Sequence, residues 1–135
     1  MAEWRVSVTE LCRIAIDPVA KPRMTQKDKW ARRPAVVRYR DYCDELRAAV
    51  REAGVIVFPV SCWLEFVLPA PTSWSQRKRA RLCGEPHRQK PDTDNLVKGV
   101  LDAMLDDDSV VWRVLAEKVW GTIGSVTIGQ VTHEL

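Results

Sequence analysis

Apolar positions along the chain recur in two periods, and the change from one to the other marks the elements. Leu11 to Ile16 alternates leucine and isoleucine with smaller or charged residues, the pattern of a half-buried strand, and Asp17-Pro18 ends it. Ala20 to Pro34 has no clean period and reads as a basic loop. From Ala35 to Ala53 the period lengthens: Val36, Val37, Tyr39, Cys43, Leu46, Ala49 and Val50 recur at three- and four-residue steps, and Gly54 supplies a stop. A second strand covers Val60 to Leu68 between Pro59 and Pro69. Pro69 to Ser73 forms a turn, with Ser73 as the expected cap of a short basic helix from Trp74 to Leu82, and Gly84 to Lys90 is a loop. Thr93 or Asp94 opens the clearest helix, with Leu96, Val97, Val100, Leu101 and Met104 as one apolar stripe. Two strands follow, Val110 to Trp120 and Thr122 to Thr132, joined at Gly121 or Gly124. Trp63 and Trp112 are expected in the core. These elements predict an α+β fold, a single small domain in which a mixed sheet packs against two main helices.

A chain of 135 residues supports one core of modest size. Hydrophobic residues make up 46% and charged residues 29%, an ordinary balance for a globular protein. No apolar run approaches the roughly 20 residues of a membrane span. The start, MAEWRVSVTE, lacks the basic and apolar regions of a signal peptide. Four cysteines stand about 20–30 residues apart with no CxxC pair, which excludes an ordinary zinc site and predicts buried free thiols, in keeping with a reducing cytoplasm.

The net charge of +3 says little, but its distribution says more. Lys21, Arg23, Lys27, Lys29, Arg32, Arg33, Arg38 and Arg40 face a single acid, Asp28. Arg77, Lys78, Arg79, Arg81, Arg88 and Lys90 face only Glu85. Asp92 to Asp108 then carries six aspartates against Lys98. Segregation of this kind predicts a polyanion-binding surface beside an acidic centre. Contacts from such windows bring affinity and salt dependence rather than sequence choice. Trp30 lies within the first window, where it can pack or stack on an unpaired base. His87 precedes the aspartates as either a structural or a phosphate-facing residue.

The acidic centre carries the chemistry. Asp92 and Asp94 are two apart, so on an extended approach to a helix their carboxylates point to one side. Lys98 lies one turn beyond Asp94, and Asp102 one turn beyond Lys98, opposite the apolar stripe. Mg²⁺ takes about six oxygens, typically one or two carboxylates completed by water and phosphate. Convergent aspartates therefore suit a metal that activates water against a phosphodiester, with a lysine to stabilise the charged transition state. The plainer reading of the same residues is a capped helix with ion pairs on a solvated face.

The motif Lys90-Pro-Asp-x-Asp-Asn-Leu-x-Lys98, then Leu101-Asp-Ala103 and an Asp-Asp-x-x-Val element, resembles the signature of RusA-like Holliday junction resolvases. Lys21-Pro-Arg-Met-Thr25, Trp74 to Arg79, Gly84 to His87 and Glu117 to Gly121 extend the likeness over about residues 21 to 131. The resemblance implies a small α+β homodimer that cleaves four-way DNA junctions with Mg²⁺ in recombination and repair, in a bacterial cytoplasm and of phage or prophage type. It makes Asp92, Asp94 and Asp107 the catalytic metal ligands and Lys98 the essential lysine. With Val110 anchoring the last element, the third aspartate is Asp107, and a one-residue slip selects Asp108. Lys21, Arg23, Lys27, Lys29, Arg32, Arg33, Arg77, Lys78, Arg79 and Lys118 are the expected DNA contacts. Two rivals stand beside this reading: a non-catalytic basic DNA-binding module whose aspartates only cap a helix, and a nuclease for flaps, forks or plain duplex.

Overall fold

A computed structural model describes residues 5–23 and 33–134. The elements run β1 (Arg5–Ile14), α1 (Pro34–Glu52), β2 (Ser61–Pro69), α2 (Gln76–Leu82), α3 (Thr93–Met104), a 3-10 turn (Asp108–Val110), β3 (Arg113–Gly121) and β4 (Ser125–Glu134). Expected bounds of α1 and β2 agree to within a residue. The start of α1 follows from Pro34, whose missing N–H and fixed φ suit the first helical position. At its end Gly54 takes φ 78°, a conformation that glycine adopts without strain. The expected capping of α2 by Ser73 is corrected. Ser75 is the cap, its hydroxyl accepting the Lys78 N–H at 3.2 Å, so the helix starts two residues later than its tryptophan suggests.

The sheet has the order β1-β4-β2-β3 and is mixed. β4 runs antiparallel to both β1 and β2, while β2 and β3 are parallel from Ser61↔Arg113 to Pro69↔Gly121. A parallel pair needs a long crossover. Here residues 70–112 provide it and carry α2, α3 and the whole aspartate motif. β3 and β4 are consecutive but do not pair, because β2 lies between them and residues 122–124 step across its end. That step forces close contact: a Cβ on Gly121 would lie 2.3 Å from Val67 Cγ1.

One face of the sheet and the inner faces of α1 and α3 make the core. Cys62, Leu64 and Phe66 alternate inward from β2 and meet Val126 and Ile128 of β4, all fully buried. Leu46 of α1 and Leu96 and Val100 of α3 close over them. Cys12, Cys43 and Cys62 are buried free thiols as expected, whereas Cys83 is free and exposed. β1 begins at Arg5, six residues before the expected start. Val6 and Val8 belong to its alternation but point to the helix-free face, where both are exposed. The expectation that Trp112 is core is overturned: it is 66% exposed, just before edge strand β3, with the Arg113 guanidinium 4.5 Å from its ring.

Replacing Gly121 by Ala is expected to cost about 1–3 kcal/mol through overpacking against Val67. Val67→Ala in the same chain should recover part of that loss, because the two side chains compete for one space. Urea denaturation of the two single variants and the double variant checks this. Additive losses would contradict it.

Candidate active site and nucleic-acid interface

The aspartate motif is held from both sides. Ahead of it, residues 84–87 hydrogen-bond along the outer edge of β3. The Gly84 N–H donates to Trp120 O at 2.8 Å, the Trp120 N–H to Glu85 O at 3.0 Å and the His87 N–H to Lys118 O at 3.0 Å. The Lys118 ammonium then donates to the carbonyls of Gln89 and Pro91, the latter at 2.6 Å. Lys118 was expected to contact DNA, and in this structure it ties the loop that delivers Asp92. Behind the motif, Leu96, Val100, Leu101 and Ala103 are buried and orient α3.

His87 is a structural wedge in this loop. It is buried with its ring 4.0 Å from that of Trp120, and Trp74 packs on Trp120 at 4.6 Å. Burial, and then the Lys118 charge, lowers its pKa below the usual histidine value, so the ring is neutral at pH 7.

Asp92 is the N-cap residue of α3 by backbone conformation, yet its carboxylate makes no capping hydrogen bond. The Lys90 ammonium instead meets both of its oxygens, at 3.1 and 3.2 Å. Asp94 stands in the first turn, exposed, with Oδ1 accepting the Asn95 N–H at 2.9 Å. One turn on, Lys98 reaches Asp102 Oδ1 at 3.2 Å and Asp108 Oδ2 at 2.6 Å. Its pKa is raised by the hydrogen bond to Asp108 and next by that to Asp102. The Lys21 ammonium also bonds Asp102. Desolvation pushes the Asp102 carboxyl up, but hydrogen bonds from Lys21 and Lys98 outweigh it and hold the pKa below its ordinary value.

Lys21 arrives there because residues 19–21 cross α3 at Gly99. The Lys21 N–H donates to Asn95 O at 3.3 Å, and a Cβ on Gly99 would lie 2.9 Å from Val19 O. Tyr39 of α1 donates to Gly99 O at 2.8 Å and locks the crossing.

The 106–108 turn divides its carboxylates. Asp107 Oδ1 accepts both the Ser109 hydroxyl, at 2.6 Å, and the Ser109 N–H, at 3.0 Å, and these bonds lower its pKa. Asp108 is the one that meets Lys98. The structure therefore brings Lys98, Asp102, Asp108 and Lys21 into one network. Asp92 and Asp94 sit at the N-terminal end of the same helix. Among the described residues no three Asp, Glu, His or Cys side chains converge as a metal cluster. Hard carboxylate oxygens at Asp92 and Asp94 match Mg²⁺ in donor chemistry, since that ion takes one or two protein carboxylates and fills its other positions with water and phosphate.

The basic windows are described only in part. Lys27, Lys29, Arg32 and Trp30 lie outside the described residues. Arg23 is exposed, and Arg33 donates to its carbonyl at 2.8 Å. On α2, Arg77 and Lys78 are exposed, with the Lys78 ammonium 4.3 Å from the Trp74 ring centroid. Arg79 donates to the carbonyls of Pro71, at 2.6 Å, and Trp74, at 3.1 Å, so its guanidinium braces the turn before α2. Pattern reading missed two pairings, Lys90 with Asp92 and Lys118 with the loop carbonyls. The first had a signal: the two-residue spacing that aligns Asp92 with Asp94 aligns Lys90 with them too.

The Asp102 network makes a pH prediction. A carboxyl whose folded pKa lies below its unfolded value adds stability above the unfolded pKa of 3.8, and loses it as pH falls through the folded pKa. Asp102→Asn should cost about 1 kcal/mol at pH 7, allowing for solvent screening. That difference should persist at pH 5 and shrink toward pH 3. Urea melts of both proteins across this range test it, and a difference that does not vary with pH would contradict it.

A family model described as Endodeoxyribonuclease RusA matches residues 15–129, from the end of β1 into β4 and across the entire aspartate motif. No curated protein matches the chain. By that match over most of its length, the chain belongs to the RusA endodeoxyribonuclease family.

Proposed function

We propose that the protein is a Mg²⁺-dependent endonuclease that resolves four-way DNA junctions by nicking opposed strands. The observation that carries this reading is the state of Asp92. It occupies the cap position of α3, but its carboxylate is turned to a cation rather than to the helix N–H groups. The absence of a capping hydrogen bond supports a carboxylate given to a cation, the place that the metal ion would take.

Asp92 and Asp94 would hold the ion, with Asp107 as the third carboxylate through the Oδ2 that Ser109 leaves unused. When bound, Mg²⁺ lowers the pKa of a coordinated water and offsets charge on the phosphate. The chain's own residues do the rest. Lys98, exposed one turn from Asp94, presents a cation to the phosphate side of the site, and Asp102 and Asp108 keep it protonated and oriented. Lys21 neutralises the second charge of that carboxylate pair, so the patch beside the phosphate is not wholly acidic. Arg23, Arg77 and Lys78, together with Lys27, Lys29, Arg32 and Arg33 in the basic segment, supply backbone contacts for branched DNA.

Cutting two opposed strands calls for two sites, and we assign the second to another copy of the chain. The helix-free face of the sheet exposes Val6, Val8 and Leu115, an apolar surface suited to that role. Leu115→Asp should weaken self-association at least about tenfold, since it introduces a charge that must be desolvated. Sedimentation equilibrium reads this, and an unchanged association constant would place the interface elsewhere.

The active-site assignment is tested with Asp92→Asn, Asp94→Asn and Lys98→Ala. Each aspartate variant should abolish junction cleavage while binding stays equal or tightens, because a charge that repels phosphate has gone. Lys98→Ala should slow single-turnover cleavage about 10²–10³-fold. Its melting temperature should barely move, as surface ion pairs contribute little. Gel shifts beside single-turnover rates check all three. Loss of binding in the aspartate variants, or a Lys98→Ala rate within a few-fold of wild type, would contradict the assignment.

A further inference from the structure

A cavity of about 550 Å³ is lined by Lys90 and Pro91, the two residues that precede Asp92. Its walls come from residues 17–22, the first turns of α1, the end of β2 and residues 87–91. Five of the lining residues are prolines: Pro18, Pro22, Pro69, Pro71 and Pro91. Proline rings are flat-sided and apolar, and their fixed φ makes the wall rigid before any ligand arrives. Trp120, held by His87 and Trp74, forms part of the floor. The volume falls in the range of roughly 300–1,000 Å³ usual for small-ligand sites. Arg38 and Lys90 stand at its rim, two exposed cations against the one exposed carboxylate of the lining, Asp17.

Three features together identify an occupant. A preformed apolar slot suits a flat aromatic body. Two cations at the mouth suit an attached phosphate. The wall residue Pro91 precedes Asp92 in the chain, so one wall of the slot leads straight into the proposed ion site. The Lys118 bonds to Gln89 and Pro91 brace one wall, and Gly124 packs closely on Asp17 of another. It is therefore a built wall and not a gap between loose loops.

We propose that this cavity receives one unstacked nucleotide of the DNA substrate, the one flanking the cleaved phosphodiester at the branch point. The inference rests on the endonuclease reading above and deepens it. Base capture positions the strand, and it favours branched DNA because a nucleotide at a branch is less costly to unstack than one within continuous duplex. Arg38 and Lys90 grip the phosphates on either side of the captured base. Lys90 exchanges its contact with Asp92 for one with DNA, which frees that carboxylate.

The test uses the full chain carrying Asp92→Asn, so that DNA is bound but not cut, and four-way junctions with 2-aminopurine at successive positions around the branch. One position should show a severalfold fluorescence change on binding. Ala35→Phe, an exposed position at the cavity mouth, should remove that change while junction affinity stays within about threefold. Ala35→Leu, a smaller plug, should reduce it in part. In chains that retain Asp92, Ala35→Phe should slow single-turnover cleavage about tenfold at saturating enzyme. A position-specific signal that survives both Ala35 substitutions, or no such signal at any position, would overturn the proposal. If wild type cuts no DNA yet the signal appears and Ala35→Phe removes it, the nuclease reading fails and the nucleotide pocket stands.

Discussion

The arrangement of the site depends on the burial of one stripe of α3. Leu96 and Val100 are fully enclosed between the sheet and α1, and this sets the rotation of the helix about its axis. With that rotation set, Asp94, Lys98 and Asp102 form a line on the opposite face at one-turn intervals. Burying a leucine and a valine contributes roughly 1.5–3 kcal/mol each, whereas exposed ion pairs like those on the other face are screened by solvent and contribute little. The apolar side therefore dictates where the charges go. The charges do not hold the helix in place.

A second constraint acts on the approach to α3. Parallel pairing of β2 with β3 obliges the chain to leave one end of the sheet and return to the other, so the crossover must run back along the length of the sheet. Residues 84–87 bond to that edge, and Lys118 bonds the next carbonyls. Asp92 is consequently delivered from a segment pinned to a strand. Residues 19–21 complete the enclosure by crossing α3 at its one glycine and bringing Lys21 to Asp102. A cation far away in sequence thereby joins the acidic centre, and the proline-lined cavity lies where these segments meet.

Much of this was legible in the residues, and the exceptions have physical causes. α1, β2 and α3 each bury one face, so their periods show, and their expected bounds needed little correction. β1 was shortened because Val6 and Val8 alternate toward the exposed face, where apolar residues carry no core signal. Trp112 was misplaced because size and hydrophobicity do not reveal that a residue sits before an edge strand. The separation of β3 from β4 by β2 was not readable, since a three-residue connection between strands looks the same whether or not they pair. The one-turn spacing of Asp94, Lys98 and Asp102 was legible as a helix-face pattern. Which of Asp107 and Asp108 meets Lys98 was not, because it depends on how the 105–110 turn folds back over Lys98. There Ser109 engages Asp107 and leaves Asp108 to the lysine.

The proposed function is a metal-dependent cutting site that the RusA-family fold sets where a branched duplex presents two strands. Its most direct measurement is strand-resolved, single-turnover cleavage of a labelled four-way junction, beside linear and flap duplexes of the same sequence, with Mg²⁺ or with a chelator. Paired nicks at symmetric positions in opposed strands of the junction are expected, with little cutting of the other duplexes and none with the chelator. Equal cutting of linear duplex, or junction cleavage that persists with the chelator, would contradict it.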